Sequence, residues 1–424
     1  MPQQTPDRQS ELNSPLTLPC GQVLPNRIMK AALSEALGDP GHRPSDRLET
    51  LYRRWASGGF GLLVTGNVMV DRGQLGEPGN VAVEDRRDLA RLRRWADAGQ
   101  GHGSRIWMQI NHPGRQANPL AGRSRPVAPS PVALKIPGAS APQELDEAQI
   151  EEIIGRFAET AAVAEAAGFD GVQIHAAHGY LIAQFLSPLS NLRSDDWGGD
   201  AERRSRFLFA VIRAIRANVA PEFAVGIKLN SADFQRGGFS EQESLQVLAR
   251  LAEANIDLIE ISGGSYEAPA MMGQAKAQST LDREAYFLEY AKAARSLAGA
   301  VPLAVTGGFR SRAAMAEAVS SGACDVVGLG RPTATAPDAA DLVLAGAKEK
   351  LAAPRIRAGL RPVLGRVTDV KTIDGFLDLQ WHTDQLHRIG AGKNPDLSRP
   401  WWKTVGSMLN RNGVEALRPK RRSG

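Results

Sequence analysis

Between Asp146 and Gly168, apolar side chains return every three or four residues, with Ile150, Ile153, Ile154, Phe157 and Ala161 on one face. The spacing predicts an amphipathic helix. Asp146 with Gln149 reads as a capping box, Leu145 with Ile150 as a hydrophobic staple, and Gly168 as the left-handed residue that ends the helix. Residues 171–175 follow as a short, mostly apolar run, the pattern of a parallel strand covered by helices. The unit then repeats. Residues 224–230 read as a strand, Ser240 with Glu243 opens a helix carrying Leu245, Leu248 and Ala252, and 257–262 is the next strand. Helix 283–299, strand 302–306, helix 311–321 and strand 325–329 extend the series. Upstream, residues 26–33, 61–65 and 105–111 read as strands, separated by helices at 46–57 and 85–99. About eight strand–helix units predict an α/β fold, a (β/α)8 TIM barrel over residues 1–350, with a doubly wound sheet as the runner-up.

Two segments fall outside the repeat. Residues 112–143, rich in Pro, Ala, Ser and Gly, are too long for an ordinary connection and predict a lid or insertion after the third strand. Residues 351–424, with Trp381, Trp401 and Trp402, predict an extension packed on the barrel and ending in a basic tail, Lys420 to Arg422.

Composition narrows the function classes. The chain has 424 residues, 42% hydrophobic and 23% charged, and no apolar run long enough to cross a bilayer. Met1 to Ser10 is polar, so neither a signal peptide nor an anchor is expected there and the cytoplasm is the expected compartment. Cys20 and Cys324 fit no metal or disulfide pattern and build no iron–sulfur cluster. A formal charge of +5, partly in the C-terminal tail, gives no footprint for nucleic acid.

In a barrel the reacting groups belong at the C-terminal ends of the strands, and those positions are polar here. The third strand ends with Gln109, Asn111 and His112, the fifth with Lys228 and Asn230. The fourth runs into His175, His178 and Tyr180, donors able to grip a carbonyl while a phenol delivers a proton. Paired histidines also serve as metal ligands or as satisfied structural residues; with no acidic third ligand nearby, no metal site is expected. The seventh and eighth strands end in Gly307, Gly308 and Arg310, and in Gly330 and Arg331. Glycines admit backbone amides to a phosphate and arginine supplies a fork, whereas glycines at tight turns alone are structural.

The stretch from His175 to Arg193, then Asp196 to Gly199 with Arg206 and Phe207, resembles the Old Yellow Enzyme family of NAD(P)H:flavin oxidoreductases. Asn26 with Arg27, Gln109 to Arg115, Asp233 with Phe234 and the two Gly/Arg clusters support the resemblance, which covers most of residues 14–345. It implies non-covalent FMN, reduced by NADPH or NADH and reoxidised by a small-molecule enone or a related acceptor. It further implies that Gln109 bonds the flavin pyrimidine edge, that Ala32, Ser34 and Gly66 face the isoalloxazine, and that Lys228 lies near N1 and O2, where many relatives carry Arg. His175 and His178 would hold the substrate carbonyl, and Tyr180 would protonate the α-carbon. Trp197 and Arg203 depart from the family's usual Tyr and Asn, and Ser34 from its Thr or Cys.

Other readings stay open on the sequence. They are a demethylase or dehydrogenase on the same barrel, a barrel that holds FMN without turnover, and a metal-dependent phosphosugar enzyme. The last leaves Gln109 and the long match from His175 unexplained. Homo-oligomers are common in such families, and the sequence marks no interface.

Overall fold

The computed structural model describes residues 10–119, 121–122, 124–135, 139–264, 287–357 and 370–417. Eight parallel strands form its centre: β1 Ile28–Lys30, β2 Leu62–Val64, β3 Arg105–Asn111, β4 Gly171–Ala176, β5 Ala224–Asn230, β6 Leu258–Ser262, β7 Leu303–Thr306 and β8 Val326–Leu329. Each pairs with its sequence neighbour, and β8 pairs with β1 through Val327 and Ile28, which closes the cylinder. The order is that of a (β/α)8 barrel. Around it lie α1 Asp46–Ala56, α2 Leu89–Gln100, α3 Glu147–Ala166, α4 Ala201–Arg216, α5 Glu241–Leu251, α6 Leu288–Arg295, α7 Arg312–Ser320 and α8 Ala339–Leu344.

Local signals account for most boundaries. The expected capping boxes are present on α3, where Asp146 Oδ1 accepts from Gln149 N at 2.9 Å, and on α5, where Ser240 pairs with Glu243. A cap of this kind contributes about 1 kcal/mol. Ile150, Phe157 and Ala161 are fully buried against the barrel, each large side chain adding about 1.5–3 kcal/mol by leaving water. The first strand is shorter than residues 26–33. Asn26 Oδ1 accepts from Ile28 N at 3.0 Å and Gly61 N at 3.1 Å, so it caps the strand from below, while residues 32–34 turn away to the mouth. Helix 85–99 begins with a 3-10 turn at Arg86–Asp88 before α2. Of helix 283–299, α6 covers Leu288–Arg295, and residues 283–286 lie outside the described residues.

Inward-facing residues change character as each strand rises. Successive same-face positions read Trp107 then Gln109 on β3, Leu258 then Glu260 on β6, and Ala304 then Thr306 on β7. Trp107 fills the lower interior because Gly171 and Gly226 face it; a Cβ at either would come within 2.9 Å of the indole. Below, a hairpin of Leu16–Thr17 and Val23–Leu24 seats Leu18 and Leu24 in the same buried cluster as Met29, Leu62 and Trp107.

The insertion is anchored at both ends. Gln184 accepts from Arg115 N at 3.1 Å and donates to Pro113 O at 3.1 Å. Arg193 donates to Pro129 O at 3.0 Å and Leu145 O at 2.5 Å. A two-residue ladder joins Val127–Ala128 to Gln143–Glu144. After α8, α9 Val370–Gly390 packs on α1, where Arg47 donates to His387 O at 2.5 Å, and α10 Trp401–Leu417 packs on α9. The basic tail lies outside the described residues. Among the described residues, no helix is long and apolar enough to cross a membrane.

Candidate active site

The strand ends open into one cavity. Ala32 and Ser34 reach it from β1, Gln109 from β3, His175, His178 and Tyr180 from β4, Lys228 from β5, Gly307 and Gly308 from β7, and Gly330 and Arg331 from β8. Gly66 is an exception among the expected positions. It does not line this cavity. Its amide donates to Glu35 Oε1 at 3.0 Å and Tyr52 Oη at 3.2 Å, and a Cβ there would strike the Glu35 carboxylate, so the glycine makes room for a buried side chain.

A connected polar floor lies under the cavity. Lys228 Nζ is 2.8 Å from Glu260 Oε1, with both side chains almost wholly buried. Gln173 Nε2 donates to Glu260 Oε2 at 2.8 Å, and Gln109 Nε2 donates to Gln173 Oε1 at 2.7 Å. The order of donors is set from one end. A carboxylate only accepts, so Gln173 presents its nitrogen to Glu260 and its oxygen to Gln109, whose own carbonyl is left as an acceptor. A buried ion pair is poor evidence for stability, because desolvation offsets the attraction. Its place beneath the cavity fits a role in fixing charge there.

The wall from β4 is neutral and donating. Burial, then the charges of His178 and Lys228, push the His175 imidazole well below its usual 6.5. Burial and Lys228 do the same to His178. Ala177 N donates to His175 Nδ1 at 3.3 Å, so the neutral ring carries its proton on Nε2. Ser262 Oγ holds His178 Nε2 at 2.8 Å, and His178 sits at φ +60°, a strained backbone for a non-glycine residue. The ring centroids of His175 and Tyr180 are 4.7 Å apart, and Asn67 Nδ2 donates to Tyr180 Oη at 3.1 Å.

The opposite end suits an anion. Gly307 and Gly308 adopt φ +143° and +90°, conformations that free a turn's amides and that side-chain-bearing residues avoid. Arg331 Nη1 pairs with Asp378 Oδ2 of α9 at 3.1 Å, so the segment after the barrel contributes to this wall. Thr306 Oγ1 is buried with no hydrogen-bond partner among the described residues, an orphan polar atom in a cavity lining. A flat heteroaromatic with a phosphate tail matches this set. Gln109, Lys228 and the two Gly/Arg clusters line this one cavity.

Residues 11–349 match the family model described as the NADH:flavin oxidoreductase / NADH oxidase family. The chain belongs to this family. It is an FMN-dependent oxidoreductase of the Old Yellow Enzyme type, with a reduced nicotinamide nucleotide as its electron source. Over 348 residues it is 42% identical to the NADH-dependent flavin oxidoreductase iliE of Hypocrea jecorina, covering 76% of this chain and 86% of that one. Identity to the NADH-dependent flavin oxidoreductase iccE of Talaromyces variabilis is 38%, over 76% and 83% of the two chains. Among solved structures, 2-naphthoyl-CoA reductase superposes with TM-score 0.75 at 27% identity, over 80% of this chain and 52% of that one. Morphinone reductase, at TM-score 0.67 and 24% identity over 80% and 90%, shares the fold.

Several lining residues were not anticipated from the sequence. Ser262 and Thr306 stand at strand C-termini, where the barrel rule points, and Glu260 lies one inward position lower. Asn67 lies three residues past the end of β2. Asp378 carries no signal at all, since its partner Arg331 is 47 residues away on another element.

Proposed function

We propose that this protein reduces α,β-unsaturated carbonyl compounds, with His175 and His178 polarising the carbonyl and Tyr180 supplying the proton. FMN, when bound, stores two electrons and delivers them as hydride. The chain's own residues do the remainder. Gln109 holds the flavin's polar edge with its free carbonyl, Lys228 sets positive charge beside it, and Ala32 and Ser34 border the ring. Gly307, Gly308, Gly330 and Arg331 hold the phosphate.

One observation carries the reading: two imidazoles kept neutral by burial meet a phenol on one wall of the cavity. Neutral His175 donates through Nε2 to a carbonyl oxygen without adding full charge to the site. As the carbonyl gains electron density, the α-carbon becomes basic, and a phenol, a weak acid whose free pKa is about 10, is suited to protonate it. The phenolate regains its proton from solvent. NADH is the reductant we assign, after the names of the fungal relatives.

The test is a spectrum of the purified protein, anaerobic bleaching by NADH and then by NADPH, and recovery on 2-cyclohexen-1-one. Recovery with formation of cyclohexanone supports the reading. Bleaching without recovery overturns enone reduction while leaving the flavin chemistry intact.

A further inference from the structure

We infer that Asn67 is a positioning residue for proton delivery, its side-chain amide stabilising the oxygen of Tyr180 as the phenol gives up its proton. The inference rests on Tyr180 as the acid and adds a residue from a different strand to that step. Asn67 follows β2, whereas Tyr180 follows β4; the two meet across the end of β3 and line the same cavity. The bond runs from Asn67 Nδ2 to Tyr180 Oη at 3.1 Å.

Direction decides its effect. The amide donates and Oη accepts, so the bond meets the negative charge that grows on Oη as the phenol's proton departs, and a hydrogen bond to a charged oxygen is about twice as strong as one to a neutral oxygen. The amide therefore favours the transition state over the resting phenol. The backbone beneath it is fixed. Gly66 N is held by Glu35 and Tyr52, and Thr65 Oγ1 donates to Gly66 O at 2.9 Å. Glu35 is itself held by buried Lys30, whose Nζ donates to Val64 O at 2.8 Å and Tyr52 Oη at 3.2 Å. This cluster gives Gly66 a reason to be glycine and sets the turn that aims Asn67. The other amide atom, Asn67 Oδ1, is buried without a hydrogen-bond partner among the described residues. Folding stability gives no evident reason for an amide here.

In electrons and atoms, the alkene takes hydride at its β-carbon, its π electrons reach the α-carbon, and the Tyr180 O–H bond breaks as the α C–H bond forms. Phenolate is left opposite Asn67 and is reprotonated by water. Among the described residues, the charged and titratable groups sharing the cavity with Tyr180 are His175 and His178 from β4, Lys228 from β5, Glu77 from the loop after β2, Arg310 and Arg331 beyond β7 and β8, and Asp378 from α9.

The experiment uses the FMN-loaded enzyme, photoreduced and mixed with 2-cyclohexen-1-one in a stopped-flow instrument. Asn67→Leu should slow reoxidation by the enone about tenfold. Reoxidation by ferricyanide, which takes electrons without a carbon-bound proton, should keep its rate, as should reduction by NADH. The alkaline limb of the enone rate should move to higher pH, because loss of a donor makes the phenol a weaker acid. Asn67→His, which keeps an N–H at this position, should restore part of the rate. In a Tyr180→Phe background, Asn67→Leu should change nothing further. Equal slowing with ferricyanide, an additive loss in that background, or a limb that moves to lower pH would each overturn the inference. If Tyr180→Phe alone reoxidises at the wild-type rate, it is the role of Tyr180 that fails, and that result is separate from the behaviour of Asn67.

Discussion

The two ends of the barrel use the same residue types in opposite ways. At the N-terminal end an aspartate stands just before each of β4, β6 and β8 and is satisfied several times over. Asp170 accepts from Ile106 N at 2.9 Å and pairs with Arg105 at 3.0 Å. Asp257 accepts from Val225 N at 2.7 Å and Cys20 N at 2.9 Å, and pairs with Arg216 at 2.5 Å. Asp325 accepts from Leu303 N at 2.7 Å and pairs with Arg295 at 2.5 Å. Each staples the start of one strand to the next. At the C-terminal end Asn67 Oδ1, His112 Nε2 and Thr306 Oγ1 are buried without hydrogen-bond partners among the described residues. Native interiors leave few such atoms, so a cluster of them at one end marks where something else completes the bonding. A charged residue at the bottom is therefore read as structure, and one at the top as chemistry.

The sharpest way to break this division is to damage each end and ask which property fails. Tyr180→Phe at the top should lower enone turnover about a thousandfold, within the range of a lost general acid, while flavin content and reduction by NADH persist. Stopped-flow half-reactions separate the two. Asp257→Ala at the bottom should do the reverse. It removes the buried carboxylate that pairs half-buried Arg216 and accepts from two amides, and should cost about 3 kcal/mol in urea unfolding, with turnover per bound flavin unchanged. A bottom variant that folded normally but lost turnover would erase the distinction.

How much of this was legible beforehand follows the same line. The barrel, both capping boxes and the histidine, tyrosine and glycine–arginine groups were readable, because period, caps and strand-end position are local properties of sequence. The short first strand was not, since it depends on Asn26 reaching Gly61 across 35 residues. The family resemblance places Gly66 against the ring, whereas the group that approaches this glycine closely is the Glu35 carboxylate, a contact no local pattern announces. The long stretch beginning at His175 was the most informative part of the chain, yet much of it is anchorage. Arg193 and Gln184 pin the insertion, Arg204 donates to Leu186 O at 3.0 Å and Gly199 O at 2.6 Å, and Trp197 is buried beneath Arg206. Length of match measures constraint, and packing constrains as firmly as catalysis.

A variant at the phosphate end sharpens the comparison within the top itself. Arg331→Ala should weaken FMN about fiftyfold, the loss of one or two charge-assisted bonds, and leave riboflavin binding unchanged because riboflavin has no phosphate. Quenching of flavin fluorescence on titration reads both constants. Equal weakening of the two ligands would place Arg331 with the packing residues, as a partner of Asp378 and nothing more.

The smallest effect concerns pH, and it too divides the ends. His112, at the rim, is wholly buried, and desolvation followed by the nearby Arg156 charge lowers its pKa to about 3. The unfolded chain would hold the same imidazole near 6.5. Above that pH neither state binds the proton, so stability is flat. Below it the unfolded state is protonated and the folded state is not, so stability falls as pH drops from 6.5 toward 3. At pH 5 the share from this group is about 2 kcal/mol, since each pH unit below 6.5 is worth about 1.4 kcal/mol. His175 and His178 shift in the same direction, so the wild-type protein should lose stability well before its carboxylates titrate. Urea midpoints at pH 7.5 and pH 5 for the wild type and His112→Asn isolate the single group: the variant should lose about 2 kcal/mol less on acidification. An equal loss in both proteins would mean that the rim histidine meets solvent in the folded state, and that unpaired burial at the C-terminal end is less complete than the geometry has it.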